Sequence, residues 1–86
     1  MWIYSQEDPM DLMHAKAEFE AGRLNEAAAE PSEQGDGWRL LLHTETGETL
    51  VLTDHAGLEL LYHSLDHATE VAREIGFNSL RVEEHF

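Results

Sequence analysis

From Trp38 to Leu42 and again from Leu50 to Leu52 apolar side chains recur at every second position, and no other feature constrains the fold of this chain as tightly. Trp38, Leu40 and Leu42 share one face of an extended segment, Thr44 to Glu48 turn around Gly47, and Leu50 and Leu52 return, which predicts a β-hairpin. Leu41 makes the other face of the first strand apolar as well, so the sheet needs cover on two sides. Asp54-His55-Ala56-Gly57 reads as a second turn, after which Leu58, Leu60 and Tyr62 alternate with Glu59 and His63 as a third antiparallel strand. Ser64 suits an N-cap, Leu65, Ala68, Val71, Ala72 and Ile75 fall on one helical face, and Gly76 ends that helix. Phe77 to Glu83 supplies a last strand with Leu80 and Val82 inward, which can pair parallel to an earlier strand after the helical crossover.

Ahead of the hairpin the pattern reads as helical. Asp8-Pro9-Met10-Asp11 combines an N-cap, a proline suited to the first helical position and an acid at the positive dipole end. Leu12, Ala15, Phe19 and Met13, Ala17, Ala21 form two adjacent rows, and Gly22 can end the helix. Asn25 can cap a second short helix that runs through Glu30 to the stop at Pro31; one bent helix over the same span is the alternative. Residues 31–37, Pro-Ser-Glu-Gln-Gly-Asp-Gly, read as a linker. The predicted fold is α+β: an N-terminal helical segment (1–30), the linker, and a βββαβ unit (38–86) with a small mixed or antiparallel sheet, with Trp2 to Tyr4 as a further edge strand and the N-terminal helices as cover for the sheet.

A chain of 86 residues accommodates one core, and its lack of cysteine excludes disulfides and thiolate metal sites. Its apolar stretches, such as Leu40 to Leu42 and Leu50 to Leu52, are far below the roughly 18 residues of a membrane span. Met1-Trp2-Ile3-Tyr4 has no basic region and no small-residue cleavage site, so the expectation is a soluble, untargeted, cytoplasmic protein.

Charge narrows the function classes further. There are 18 acidic residues against 5 basic ones, a formal net charge of −13. Residues 1–37 hold nine acids and two bases, and residues 38–86 nine acids and three bases, so the acidity is not that of a tail. Such a field repels phosphate backbones and anionic membranes and attracts basic protein surfaces. The acids expected to face solvent are Glu18, Glu20, Glu26 and Glu30 on the first helical region and Asp66, Glu70 and Glu74 on the last helix. The last three stand four apart, a stripe rising about 6 Å per step, comparable to phosphate spacing along one DNA strand. Exposed acids that only keep a small domain soluble make the same pattern.

Catalytic signals are weak. His63 and His67 stand four apart with Asp66 and Glu70 nearby, the spacing of a helical metal pair, but Ser64 as N-cap leaves His63 outside the helix and no Glu follows it. No nucleophile elbow, phosphate loop or dinucleotide fingerprint occurs. The expectation is a protein that is not an enzyme and has no cofactor. Protonating all six histidines would move the net charge from −13 to −7, so binding driven by the acids should weaken between about pH 7 and 5.5.

The run Tyr62-His63-Ser64-Leu65-Asp66-His67-Ala68, followed by Ala72, Ile75-Gly76-Phe77, Leu80 and Val82, resembles a pattern in small accessory proteins of plasmids and integrative elements. In size and charge the chain resembles acidic phage-encoded inhibitors, including anti-CRISPR and DNA-mimic proteins. Ala17 to Ala27 resembles the inter-helix corner of a tetratricopeptide repeat, but a single copy has nothing to stack on. These resemblances imply a non-enzymatic inhibitor or regulator, encoded on a mobile element, whose acids occupy the basic groove of a nucleic-acid-binding protein. The alternatives are a homodimeric accessory domain pairing through its sheet edge or through Trp2, Tyr4 and Phe86, and a histidine/carboxylate metal-binding domain.

Overall fold

The computed structural model describes residues 8–32, 37–54 and 56–83. Eight elements follow one another: β1 (Asp8–Asp11), α1 (Leu12–Glu20), β2 (Leu24–Pro31), β3 (Trp38–Thr44), β4 (Thr49–Thr53), β5 (Leu61–Tyr62), α2 (Leu65–Ile75) and β6 (Arg81–Val82). All six strands belong to one mixed sheet in the order β1-β4-β3-β2-β6, with β5 pairing β3. The mixed α+β class is as expected, but the order of elements is not: a strand comes first, and the helical segment over 1–30 is replaced by β1, α1 and β2.

Two local corrections account for the difference. Asp11, not Asp8, caps the first helix: its backbone is extended (φ −84°, ψ 172°) and its carboxylate accepts the His14 N–H at 2.9 Å. Pro9 therefore sits in β1, which pairs only β4 among the described residues, a place where a missing N–H is tolerated. The second correction is larger. The alanine-rich run 24–31 is a strand, antiparallel to β3 with Ala27, Ala28 and Ala29 opposite Leu42, Leu41 and Leu40, and parallel to β6 at Ala28 and Ala29. Alanine's helical preference is a small term that tertiary packing overrides. Here all three alanines are almost fully buried, and small side chains suit a strand covered on both faces. The likeness to a helical-repeat corner ends at the same point, since Asn25 is the extra residue of a register shift between Leu24 and Glu26.

The hairpin of β3 and β4 forms as expected, with Leu41 opposite Val51 and Leu42 opposite Leu50. The third strand is shorter than expected: Glu59 makes a single antiparallel bridge to Thr53, Leu61 and Tyr62 pair with β3, and Leu58 projects outward rather than into the sheet. Helix α2 runs between the expected ends, with Ser64 accepting the His67 N–H at 3.1 Å and Gly76 at its close. The last strand is parallel to an earlier strand as expected, but that strand is β2, in the segment expected to be helical; it is two residues long, and Val82 is exposed instead of inward. Pro31 pairs with Trp38, and the Ser32 N–H donates to Gly37 O at 3.0 Å; residues 33–36 of the expected linker and the Trp2 to Tyr4 strand lie outside the described residues.

The pairings make β1, β2, β4, β5 and β6 mutually parallel and β3 alone antiparallel to them. Hence β1-α1-β2 and β5-α2-β6 are both helical crossovers between parallel strands. Both helices pack on one face of the sheet, where Leu40, Leu42, Leu50 and Leu52 meet Ala15, Ala68, Ala72 and Ile75. Leucines from the sheet fill space left by helix alanines, so the helices approach closely. On the opposite face Ala28, Leu41 and Val51 form a second buried cluster.

Candidate partner-binding surface

The seven carboxylates expected at an interface divide into two groups. Glu26 and Glu30 are not on a helix: they stand on β2, on the sheet face away from α1 and α2, and both have basic partners. Glu30 accepts Arg39 Nε at 2.7 Å while Arg39 also reaches Glu59 at 3.3 Å, and Arg81 lies 3.3 Å from Glu26 and bonds Glu83. Arg39 and Glu30 are largely shielded, which strengthens a charge-assisted pair relative to an exposed one. Arg81 keeps its proton more firmly than an ordinary guanidinium, first through the hydrogen bond to Glu83 and then through the charge of Glu26.

Glu18 and Glu20 do lie on α1. Glu18 is held by Arg23 at 2.8 Å, while Glu20 is exposed. Asp66, Glu70 and Glu74 all lie on the outer side of α2, as their spacing predicted, and among the described residues only Glu74 of the three is in an ion pair, with Lys16 on α1 at 3.4 Å. Four of the five basic residues, Lys16, Arg23, Arg39 and Arg81, are thus each paired with an acid of the chain itself. Glu20, Asp66 and Glu70 take part in no ion pair among the described residues.

The histidine pair of the sequence does not come together as a site. His67 stacks edge-on against Tyr62 with ring centroids 5.0 Å apart, His63 is exposed ahead of the helix, and no cluster of three or more metal-ligating side chains occurs among the described residues. Burial, with a smaller contribution from the Glu74 charge, raises the Tyr62 phenol above its ordinary 10.0. His43, which sequence reasoning passed over, sits on the face away from the helices. Its Nδ1 is 3.1 Å from Thr49 Oγ1, and its buried Nε2 has no hydrogen-bond partner among the described residues, with Glu83 3.8 Å away. Alternation along β3 put His43 beside Leu41, but only the register with β2 and β6 brings Glu26 and Glu83 to it.

Another surface that sequence reasoning missed is apolar. Met13 and Leu58 are 70% and 66% exposed, against an expectation that placed both on inward rows. A nine-residue helix lying on one sheet cannot bury two apolar rows at once, and Met13 is on the row left outside. No helix among the described residues is long and apolar enough to cross a membrane. No protein-family model, curated protein or solved structure matches the chain.

Proposed function

We propose that this protein is a non-enzymatic inhibitor or regulator that binds the basic, nucleic-acid-binding surface of another protein through the outer face of α2. What supports the reading is the distribution of charge: the chain spends most of its few basic residues on internal pairs, and among the described residues Asp66 and Glu70 have no ion pair on the exposed helical face they share with Glu74. Unpaired acids a helical turn apart attract a cationic groove and speed encounter with it. Histidine protonation lowers the negative charge, so the interaction weakens with acid as well as with salt.

Affinity capture from the source cell, with bound proteins identified by mass spectrometry, tests the reading when wild type and Asp66→Lys/Glu70→Lys/Glu74→Lys are compared. The expected result is a nucleic-acid-binding protein held by the wild type, displaced by added duplex DNA and lost from the triple variant. Capture that is equal for both proteins, or indifferent to DNA, overturns it.

A further inference from the structure

The exposed row of α1 differs in kind from that of α2. Met13, Ala17 and Ala21, four apart, are all exposed, so an apolar ridge leads away from the start of this helix. Beside that start the chain turns at Asp54, whose Oδ1 accepts the N–H groups of Ala56 and Leu58 at 2.9 Å each and so fixes the turn that carries Leu58 outward. A cavity of about 390 Å³ lies here, lined by Leu12, Met13, Leu60, Lys16, Asp11 and Asp54. A second, of about 430 Å³, shares Asp11, Thr53 and Asp54 with the first and adds His14 and Glu18. Large exposed side chains beside an apolar hollow are what a surface keeps when something else is to cover it.

The charge around the hollow selects the occupant. Three carboxylates line the two cavities: Asp11 holds His14, Glu18 holds Arg23, and Asp54 closes its own turn, while the one lysine, Lys16, is 3.4 Å from Glu74 on the neighbouring helix. Among the described residues Asp54 accepts through Oδ1 alone, and Oδ2 is the oxygen an incoming donor would meet. A second copy of the chain fits poorly, because each copy carries a net charge of −13. We infer that the groove between α1 and the chain around Asp54, Leu58 and Leu60 seats a basic segment of another protein, with an apolar side chain entering between Met13 and Leu60 and a flanking Lys or Arg meeting Asp54. This surface is separate from the outer face of α2 and does not rest on the proposal made for it.

The experiment is an amide-NMR titration with a synthetic helical peptide bearing leucine on one face and lysine on the others, run alongside an analogue with alanine for leucine. Shifts are expected at Leu12, Met13, Leu58 and Leu60 with the leucine peptide and not with the analogue. Met13→Ser/Leu58→Ser should weaken binding by about tenfold or more, whereas Asp66→Lys/Glu70→Lys, which spares the Lys16–Glu74 pair, should leave the groove shifts in place. Both serine positions are exposed, and Leu58→Ser alone serves as a second, milder variant. The inference is overturned by shifts confined to α2, by equal response to the analogue, by unchanged affinity of the serine variants, by absence of binding, or by a dimer that the serine variants dissolve.

Discussion

The two helices lie side by side on one face of the same sheet, yet they are built on different terms. Helix α2 has every local signal: a serine N-cap, Asp66 in the first turn, Arg73 in the last, Gly76 at the close, Ala68, Ala72 and Ile75 inward, and charged or polar residues outward. Helix α1 is nine residues long, has no acid in its first turn and no base in its last, and fully buries only Ala15. So short a helix is unstable by itself. It gets its order from its neighbours: Phe19 packs edge-on against Phe77 with centroids 4.8 Å apart, and Leu12 and Phe19 rest on the main core. One helix is specified by its own residues, the other by where it is put, and the second leaves apolar surface over.

The most damaging way to probe that difference is at Gly76, where α2 ends and α1 is held. Its φ is +139°, and a Cβ there would lie 2.5 Å from two ring carbons of Phe19. Gly76→Ala therefore combines a backbone penalty with a clash and should cost about 3 kcal/mol in urea unfolding. Hydrogen exchange sharpens the comparison. Amides of α1 should lose more protection than those of α2, although the substitution lies at the end of α2; equal losses would show that α1 does not depend on this junction.

The caps come next in size. Both helices begin with a side chain that accepts the N–H of a histidine three residues on, Asp11 to His14 at 2.9 Å and Ser64 to His67 at 3.1 Å. Asp11 also brings a negative charge to the helix start and receives the His14 ring at 2.7 Å. Asp11→Ala should thus cost about 1.5 kcal/mol and Ser64→Ala about 1 kcal/mol, read from denaturant midpoints. Equal losses would mean that the charge adds nothing to the N–H contact.

The same contrast explains what could be read in advance. Where the determinants are local, as in the hairpin around Gly47 and in α2 from Ser64 to Gly76, the sequence pattern names the element and its ends. Residues 24–31 fail for a physical reason: Ala27, Ala28 and Ala29 favour a helix locally, and only partners distant in sequence, Leu40 to Leu42 on one side and Arg81 and Val82 on the other, make them a strand. The acids on α2 were legible because helical spacing alone orients them. Glu26 and Glu30 were not, since their place and their pairing with Arg81 and Arg39 follow from the misread strand. Met13 and Leu58 needed the structure, because apolar residues give no local sign of which will be left outside.

The smallest effect is expected where the helices touch through charge. Lys16 and Glu74 are both substantially exposed, so Glu74→Gln should change stability by less than about 0.5 kcal/mol. Its informative readout is Tyr62, titrated by tyrosinate absorbance in a Tyr4→Phe background. The Tyr62 phenol is raised first by burial and second by Glu74, so removing that charge should lower its pKa part of the way and leave it above 10.0. The stability consequence has a definite sign. A phenol whose folded pKa lies above the unfolded one favours the folded state fully below about pH 10, and that contribution disappears as pH rises from there through the raised value. Glu74→Gln should therefore begin to lose stability at the same pH as the parent but lose less in total, and Tyr62→Phe should abolish this loss. A Tyr62 pKa that returned fully to 10.0 in Glu74→Gln would mean that contact with the end of α2, and not burial against β3 and the start of α2, governs this tyrosine.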